Sequence, residues 1–464
     1  TRMAESAGRW RDSRGLDSLG IPMLIGRRNK GFLIFEKGSR EVQICGRFWH
    51  NFLCGFALRG PSTSPFLRVM RLLHDIDLGY CTNIHRGETW EETFAGLRDY
   101  TDQVRERISG GNRYGIGLRL GAKAAEQLSS NQAAKDHFRR WMDERNAYVF
   151  TINGFPYGTF HGSRVKEQVY VPDWSTPERL EYTNKLFNLL VELAPEGKSL
   201  SVSTLPGSFK EFITPENEAG VIRAMVENLR ACSQHMESLR EKTGKDLHLG
   251  LEPEPLGLFE TTPETVRFFE ALHDGATENE SAHISRNLGV NYDTCHLAIE
   301  YESPEEAVSR LRNAGIRISK IHLSSALCLK PSAEAVARLG SFQDEVYLHQ
   351  VVVKKGEDVT ERFRDLPDAI EWFERNRNDA GDEWRVHFHV PIHSQPEALF
   401  ADTRDHISGI LKLLGDEPGW CTHFEMETYT WEVLPEEIRS RDVVEQLVAE
   451  YDWCLGEFRA NSLA

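Results

Sequence analysis

No two of the eight cysteines, at positions 45, 54, 81, 232, 295, 328, 421 and 454, form a C-x-x-C pair or fall at a regular interval. That scatter fits reduced thiols in a large cytoplasmic chain better than a disulfide scaffold or a structural zinc site. No run approaches the roughly 18–20 consecutive apolar residues that a spanning helix needs. A basic-then-apolar secretory leader is also missing from the first residues. Positive charge is in short supply, with 55 Lys+Arg against 71 Asp+Glu, a net of −16. This argues against general affinity for nucleic-acid backbones or anionic membranes, which depends on clustered Lys and Arg, while leaving room for a local basic pocket. No G-x-G-x-x-G follows the first strand-like run and no G-x-x-x-x-G-K-[ST] occurs, so the nucleotide sites typical of a doubly wound sheet are lacking.

What is present is an ordinary globular composition, 40% hydrophobic and 27% charged over 464 residues. Its distribution is uneven. Residues 1–69 carry 12 Lys+Arg and 5 Asp+Glu, whereas 70–464 carry 43 and 66, and all but one of the 17 histidines lie in the second part. Neither 31–35 nor 48–58 sustains a clear helical or strand period. We therefore read 1–69 as an N-terminal extension outside the fold, either upstream sequence from a misassigned start or a poorly structured basic arm. The folded domain is then 70–464, opening on MRLLHDIDLGYCTNIH.

From Met70 onward, short β-rich runs alternate with longer amphipathic stretches: 79–83, 115–120, 148–153, 200–204, 247–252, 288–293 and 318–323, then 385–390 and 422–429. Such alternation implies a parallel sheet with helical crossovers. Thr176-Pro177-Glu178, Thr214-Pro215-Glu216, Thr262-Pro263-Glu264 and Ser303-Pro304-Glu305 read as helix starts, each with a capping hydroxyl, a proline and a first-turn acid. The expected fold class is α/β, a (β/α)8 TIM barrel. Nine runs are one too many for it, and the gap after 323 holds a further apolar run at 346–353. An accessory insertion near strands seven and eight is expected, with 318–323 as strand seven, 422–429 as strand eight and 385–390 as an accessory strand.

Barrels of this kind place their chemistry at the C-terminal ends of the strands. There LGLEPEP ends with Glu252 and Glu254, NYDTCH with Asp293 and His296, KIHLSS holds His322, and HFEMETYTW holds Glu425 and Glu427. A carboxylate at the end of a hydrophobic strand is costly unless it is paired or bound to a cation. Converging carboxylates with a histidine suit one divalent ion, Mn, Mg, Co or Zn.

The series Glu252, Asp293-x-x-His296, His322, Glu427 resembles the metal site of the xylose isomerase-like TIM-barrel superfamily, which includes sugar isomerases, epimerases and endonuclease IV enzymes. The segments NIHRGETWEE, GIGLRLGAKAA, FTINGFPYGTFHGSRVKEQVYVPDW, VHFHVPIH and METYTWEVLP resemble the metabolite traffic protein EboE family within it, over nearly all of 70–464. The resemblance implies Glu252, Asp293, His322 and Glu427 as metal ligands. It implies Glu252 and Glu427 as the catalytic acid/base pair, and His296 as a catalytic residue facing the substrate or a second metal. Glu425 competes with Glu427 on the same strand face; Glu427 is preferred because it lies nearer the strand's C-terminal end. Strand two ends in Arg119-Leu120-Gly121 and strand three in Asn153-Gly154, without the early histidines of the endonuclease branch. This favours a one-metal, sugar-type site.

In the loop 153–166, Asn153, Tyr157, His161, Arg164 and Lys166 are read as substrate-binding, with ordinary surface charge as the other reading. His387 and His389 share a strand face, with His393 beyond, and either extend the metal site or form a hydrogen-bonded structural pair. His349 stands where the endonuclease branch has a late histidine. Cys295 is expected to point away from the site by alternation and to pack. Phe155, Tyr157, Phe160, Tyr429 and Trp431 are expected to lid the pocket.

The chemistry implied is enolisation of a small hydroxylated or sugar-like metabolite, in secondary-metabolite biosynthesis or traffic, with the ion polarising adjacent oxygens and a carboxylate moving a proton at carbon. The alternatives are an endonuclease IV-like phosphodiester hydrolase and a non-catalytic carrier. Nucleic acid and membrane insertion are not expected, and the expected location is cytoplasmic.

Overall fold

A computed structural model describes the backbone of residues 24–28 and 31–35 and, with side chains, residues 72–161, 165–394, 398–431, 433 and 441–464. The chain divides into two compact units, Thr1–Pro65 and Phe66–Ala464. In the first, β1 (Leu24–Arg28) pairs antiparallel with β2 (Gly31–Phe35), Leu24 opposite Phe35. Residues 31–35 are therefore a strand, contrary to the periodicity reading. A five-residue hairpin arm is held by cross-strand backbone pairing and needs no alternation of its own. The run 48–58 lies outside the described residues.

In the second unit the strands come in the order β3 (Asp77–Tyr80), β4 (Tyr114–Arg119), β5 (Ala147–Asn153), β6 (Leu200–Thr204), β7 (Leu247–Leu251), β8 (Leu288–Asp293) and β9 (Arg317–Leu323). Five more follow: β10 (Ala326–Leu329), β11 (Val351–Lys355), β12 (Asp358–Phe363), β13 (Glu383–His389) and β14 (Ala401–Asp402). The last is β15 (His423–Met426). Eight of them form one parallel sheet in the order β3-β15-β9-β8-β7-β6-β5-β4, and a parallel bridge from Cys81 to Gly117 links its two ends. This is an eight-stranded TIM barrel, with β9 as strand seven and β15 as strand eight.

The barrel's outward positions are apolar, with Leu78, Ile116, Leu118, Val202, Leu249, Val290, Ile321 and Phe424 all buried beneath the helices. Its interior is small and polar. Ser201 donates to Thr151 at 2.7 Å, His423 Nδ1 meets Ser201 Oγ at 2.8 Å, and Lys320 Nζ donates to Ser203 at 2.9 Å and to Glu425. Glycine at 117 makes room for that last acid, since a Cβ there would stand 1.9 Å from Glu425 Oε1.

Between strands seven and eight the inserted segment builds a five-stranded sheet, β12-β11-β13-β10-β14. Its central strand β13 pairs antiparallel with β10 (Leu327 opposite Val386) and with β11 (Val351 opposite Val386). Leu327, Val351, Val353, Trp384, Val386 and Phe388 give it a core of its own. The run 385–390 thus belongs to the accessory sheet.

Two of the four expected helix starts move, and at a third the Thr176 hydroxyl donates to the Asp173 carbonyl and caps nothing. Ser303 caps Pro304–Asn313 by accepting from Glu306 N, and Thr176 precedes Pro177–Leu193. The cap of Thr262–His273 is Thr261, which forms a capping box with Glu264, while the Thr262 hydroxyl bonds Glu302 instead. Thr214-Pro215-Glu216 is a turn, closed by Asn217 Oδ1 accepting from Thr214 N at 2.7 Å, and the helix starts at Glu218. Serine, threonine and asparagine satisfy turn and cap donors alike, so the triplet alone does not choose.

Candidate metal centre

Glu252, Asp293, His322 and Glu427 reach one point from the C-terminal ends of β7, β8, β9 and β15, their ligand atoms all within 4.8 Å of one another. Each is at most 5% exposed. His322 Nδ1 lies 3.4 Å from Glu252 Oε1, 3.6 Å from Asp293 Oδ2 and 3.0 Å from Glu427 Oε2.

Each carboxylate has one oxygen held by neutral donors and the other turned inward. Asn291 donates to Glu252 Oε2 at 2.7 Å, and its amide nitrogen also lies 3.2 Å from His322 Nδ1. Asn83 and Asn153 donate to Glu427 Oε1 at 2.7 and 3.2 Å. Asp293 Oδ1 accepts from the backbone N–H groups of Cys295 (2.7 Å) and His296 (3.0 Å) and from the Ser324 hydroxyl (2.6 Å), whereas its Oδ2 has no hydrogen-bond partner. His322 is oriented likewise. Its Nε2 faces Glu425 Oε2 at 3.3 Å, which fixes the ring and turns Nδ1 toward the centre.

Glu425 is thus no member of the inward set. Burial raises its carboxyl, but Lys320 and His322 hold it down at about 2. Burial alone would lower the His322 imidazole; Glu427 and Glu252 outweigh that and raise it well above the usual range. The three inward carboxylates demand positive charge. An ion with oxygen and imidazole ligands fits them, and the orphaned Asp293 Oδ2 is the atom that gains a partner.

Over the centre opens a cavity of about 70 Å³, lined by the aromatic Phe155, Phe160, Tyr170, Tyr347 and Tyr429 and by the polar Glu254, His296, Gln350 and His387. Asn153 and Lys166 line it. The Lys166 ammonium is tied to Asp365 at 2.5 Å. Tyr157 and His161, expected to bind substrate, do not line this space. Tyr157 packs edge-on against Tyr182, 5.0 Å between centroids, with the Arg179 guanidinium over its ring, and His161 is buried against Phe160. Of the expected lid, Phe155, Phe160 and Tyr429 line the space and Tyr157 and Trp431 do not. Arg164 lies outside the described residues.

His296 faces the cavity with Nε2 3.0 Å from His387 Nε2. His389 Nδ1 meets the Glu427 carbonyl at 2.8 Å. His349 is spent on Asp344 and the His387 carbonyl, so it reaches no ligand position. Cys295 packs with Ile299, Ala326 and Val352, but not through strand alternation: it belongs to the short helix Thr294–Ile299. Its thiol also lies within 4.8 Å of the ligand nitrogens of His387 and His389. At the ends of strands two and three, Arg119 donates to the Gly87 and Gly158 carbonyls at 2.6 and 2.8 Å, a structural clamp. Sequence reasoning passed over Asn83, Asn291 and Gln350. The only signal for the first two was their place: Asn83 follows strand one, and Asn291 lies two residues before Asp293.

No family model and no curated protein matches the chain. Several solved structures resemble it in fold. One is a xylose isomerase domain protein from Planctomyces limnophilus, at 13% identity and TM-score 0.42, covering 75% of this chain and 90% of that one. Another is the IOLI protein solved with a bound zinc atom, at 11% identity and TM-score 0.41 over 83% and 96%. A 3-keto-D-glucoside 4-epimerase from E. coli matches at 16% identity and TM-score 0.33 over 65% and 99%.

Proposed function

We propose that this chain is a metal-dependent enzyme of the isomerase or epimerase kind, acting on a small hydroxylated, sugar-like metabolite in secondary-metabolite biosynthesis or traffic, as its EboE-like segments suggest. The observation that carries the reading is the three carboxylates with one oxygen tied and one turned toward His322 Nδ1, beneath a partly aromatic cavity. One divalent ion, Mn, Mg, Co or Zn, would be held by Glu252, Asp293, His322 and Glu427. When bound, it would supply Lewis-acid polarisation of vicinal oxygens.

The chain's own residues supply the rest. Glu252 Oε1 and Glu427 Oε2 come from strands three places apart in the ring, β7 and β15, and would approach a substrate carbon from two directions. One takes a proton from that carbon and the other returns it. Asn291, Asn83 and Asn153 fix the second oxygens, so neither acid needs to reorganise as charge moves. Phe155, Phe160 and Tyr429 line the space and would keep bulk water from the reacting atoms. Asn153 offers the substrate a polar contact at the wall.

The test is elemental analysis of the purified protein, mass spectrometry of co-purifying small molecules, and incubation of the captured compound with the protein in D2O. Incorporation of deuterium at a carbon next to a hydroxyl, abolished in Glu252→Gln and Glu427→Gln, is expected. Capture of a compound with no exchange in the metal-loaded protein would make it a carrier, and cleavage of an abasic-site duplex would make it a hydrolase.

A further inference from the structure

Among the described residues that line the cavity, all are buried except Lys166, Val169 and Tyr429, which are half-buried. Lys166 and Val169 lie on one short turn, Lys166–Tyr170, at the end of the loop after strand three. Along the described lining, solvent therefore reaches the cavity between that turn and Tyr429. The cavity itself holds only about 70 Å³. A void of roughly 150 Å³ is what takes up one benzene ring, so a hydroxylated metabolite does not fit until a wall moves.

The turn is the wall built to move. Its leading end is tied to the insertion by polar bonds: the Val346 carbonyl accepts from Val165 N and from Lys166 N, both at 2.9 Å, the Lys166 ammonium pairs with Asp365 at 2.5 Å, and Arg364 donates to Glu167 at 2.9 Å. Asp365 is fixed in turn, its other oxygen accepting from His349 N at 3.1 Å and Leu366 N at 2.9 Å. The trailing end is held differently. Tyr170 is buried and packs on Phe155 and Phe209, with centroids 5.6 and 4.9 Å away. Water can replace the bonds at the first end but not the apolar contact at the second.

The backbone at the tied end is also strained. Lys166 has φ of +36°, in the left-handed region that a residue with a Cβ enters at a cost. Its amide bond to Val346 and its ion pair with Asp365 hold it there. Strain thus favours the released turn and the ties favour the seated one, the opposition that a two-position element requires.

We propose that Lys166–Tyr170 is the gate of the cavity, latched to the insertion through Lys166 and Asp365 and pivoting on Tyr170. Lys166 then serves entry instead of substrate recognition, and the insertion controls access to the barrel centre. The gate acts on whatever small molecule the cavity takes, so it stands independently of the bound ion and of the reaction proposed above.

The test is thiol labelling of Leu348→Cys, a cavity-lining position, in the full chain, using methyl methanethiosulfonate with peptide mapping by mass spectrometry. Slow labelling is expected while the latch is intact; a rate equal to that of a free thiol would overturn the gate. Adding Lys166→Met or Asp365→Asn should speed labelling about tenfold or more, the effect of losing one charge-assisted bond. Cys232 and Cys454, buried on barrel helices, should keep the parent rate. No change at the introduced thiol puts the entrance elsewhere and overturns the gate, and a rise shared by Cys232 and Cys454 means general loosening and overturns it as well. If Leu348→Cys does not fold, hydrogen exchange carries the test: residues 165–170 should exchange faster in Lys166→Met than in the parent while the barrel strands are unchanged, and equal rates overturn the gate.

Discussion

Glu425 and Glu427 stand two residues apart, yet one faces Lys320 in the barrel interior and the other faces the cavity. Glu427→Gln should lower occupancy of the barrel ion far more than Glu425→Gln, read by elemental analysis; the reverse order would place the wrong acid at the centre. Asp293→Asn should also empty the site, with only a modest loss of thermal stability, because the barrel core does not depend on the ion. Glu450 offers a pH readout. Burial pushes this carboxyl up to about 8, against a hydrogen bond from Gln446. Its folded pKa lies above the unfolded value, so the folded state holds a proton that the unfolded chain has released. Stability should therefore fall as pH rises from about 4.5 through 8, by an amount on the order of a few kcal/mol. Glu450→Gln should flatten that slope and raise the melting temperature at pH 8.5, measured by thermal melts across the range. At this scale the acids and His322 were legible because a polar residue closing an apolar strand stands out. Asn83, Asn291 and Gln350 were not, since amides have no signature of their own. Tyr157 and His161 lie away from the cavity lining, which a sequence could not tell because it does not say which way a loop side chain turns.

The strands were legible as elements because buried parallel strands read as short β-rich runs between loops. Runs 385–390 and 422–429 look alike as sequence, and length placed them correctly: the gap after β9 is too long for one crossover. The helix starts were less legible, since Thr214 closes a turn and Thr262 yields its capping role to Thr261. The hairpin arm 31–35 was missed because its pairing lies in the backbone. The accessory sheet has its own core around Trp384, which is fully buried and donates Nε1–H to the Ala380 carbonyl at 2.7 Å. Trp384→Ala should cost roughly 3–5 kcal/mol of local packing. Hydrogen exchange should speed up within 326–402 while the barrel strands stay protected and the barrel ion stays bound. Exchange rising equally in β3 to β8 would mean that insertion and barrel unfold as one unit.

For the whole molecule, the contrast between a basic 1–69 and an acidic remainder predicts that a chain beginning at Met70 will be soluble, cooperative in unfolding and metal-loaded. Aggregation, or a large drop in melting temperature on truncation, would show that the extension is needed. The same charge balance predicts no appreciable duplex binding at physiological salt, since such affinity requires several Lys or Arg contacts to phosphate. Submicromolar, salt-sensitive shifts in a mobility assay would reverse that expectation. None of the helices among the described residues is long and apolar enough to cross a membrane.

The sheet joins its last strand to its first: β15 pairs with β3, Phe424 opposite Leu78, and Glu427 follows immediately after. During synthesis, then, a growing chain can present Glu252, Asp293 and His322 long before the fourth ligand has left the ribosome. If the four residues hold an ion as proposed, its capture through all of them would be a late event, coincident with ring closure, and a truncated product lacking the final strand would be left without that affinity. Ion occupancy would in this way report that translation has run to the eighth strand, so that a release-and-capture time course should show metal uptake and closure of the ring as a single step.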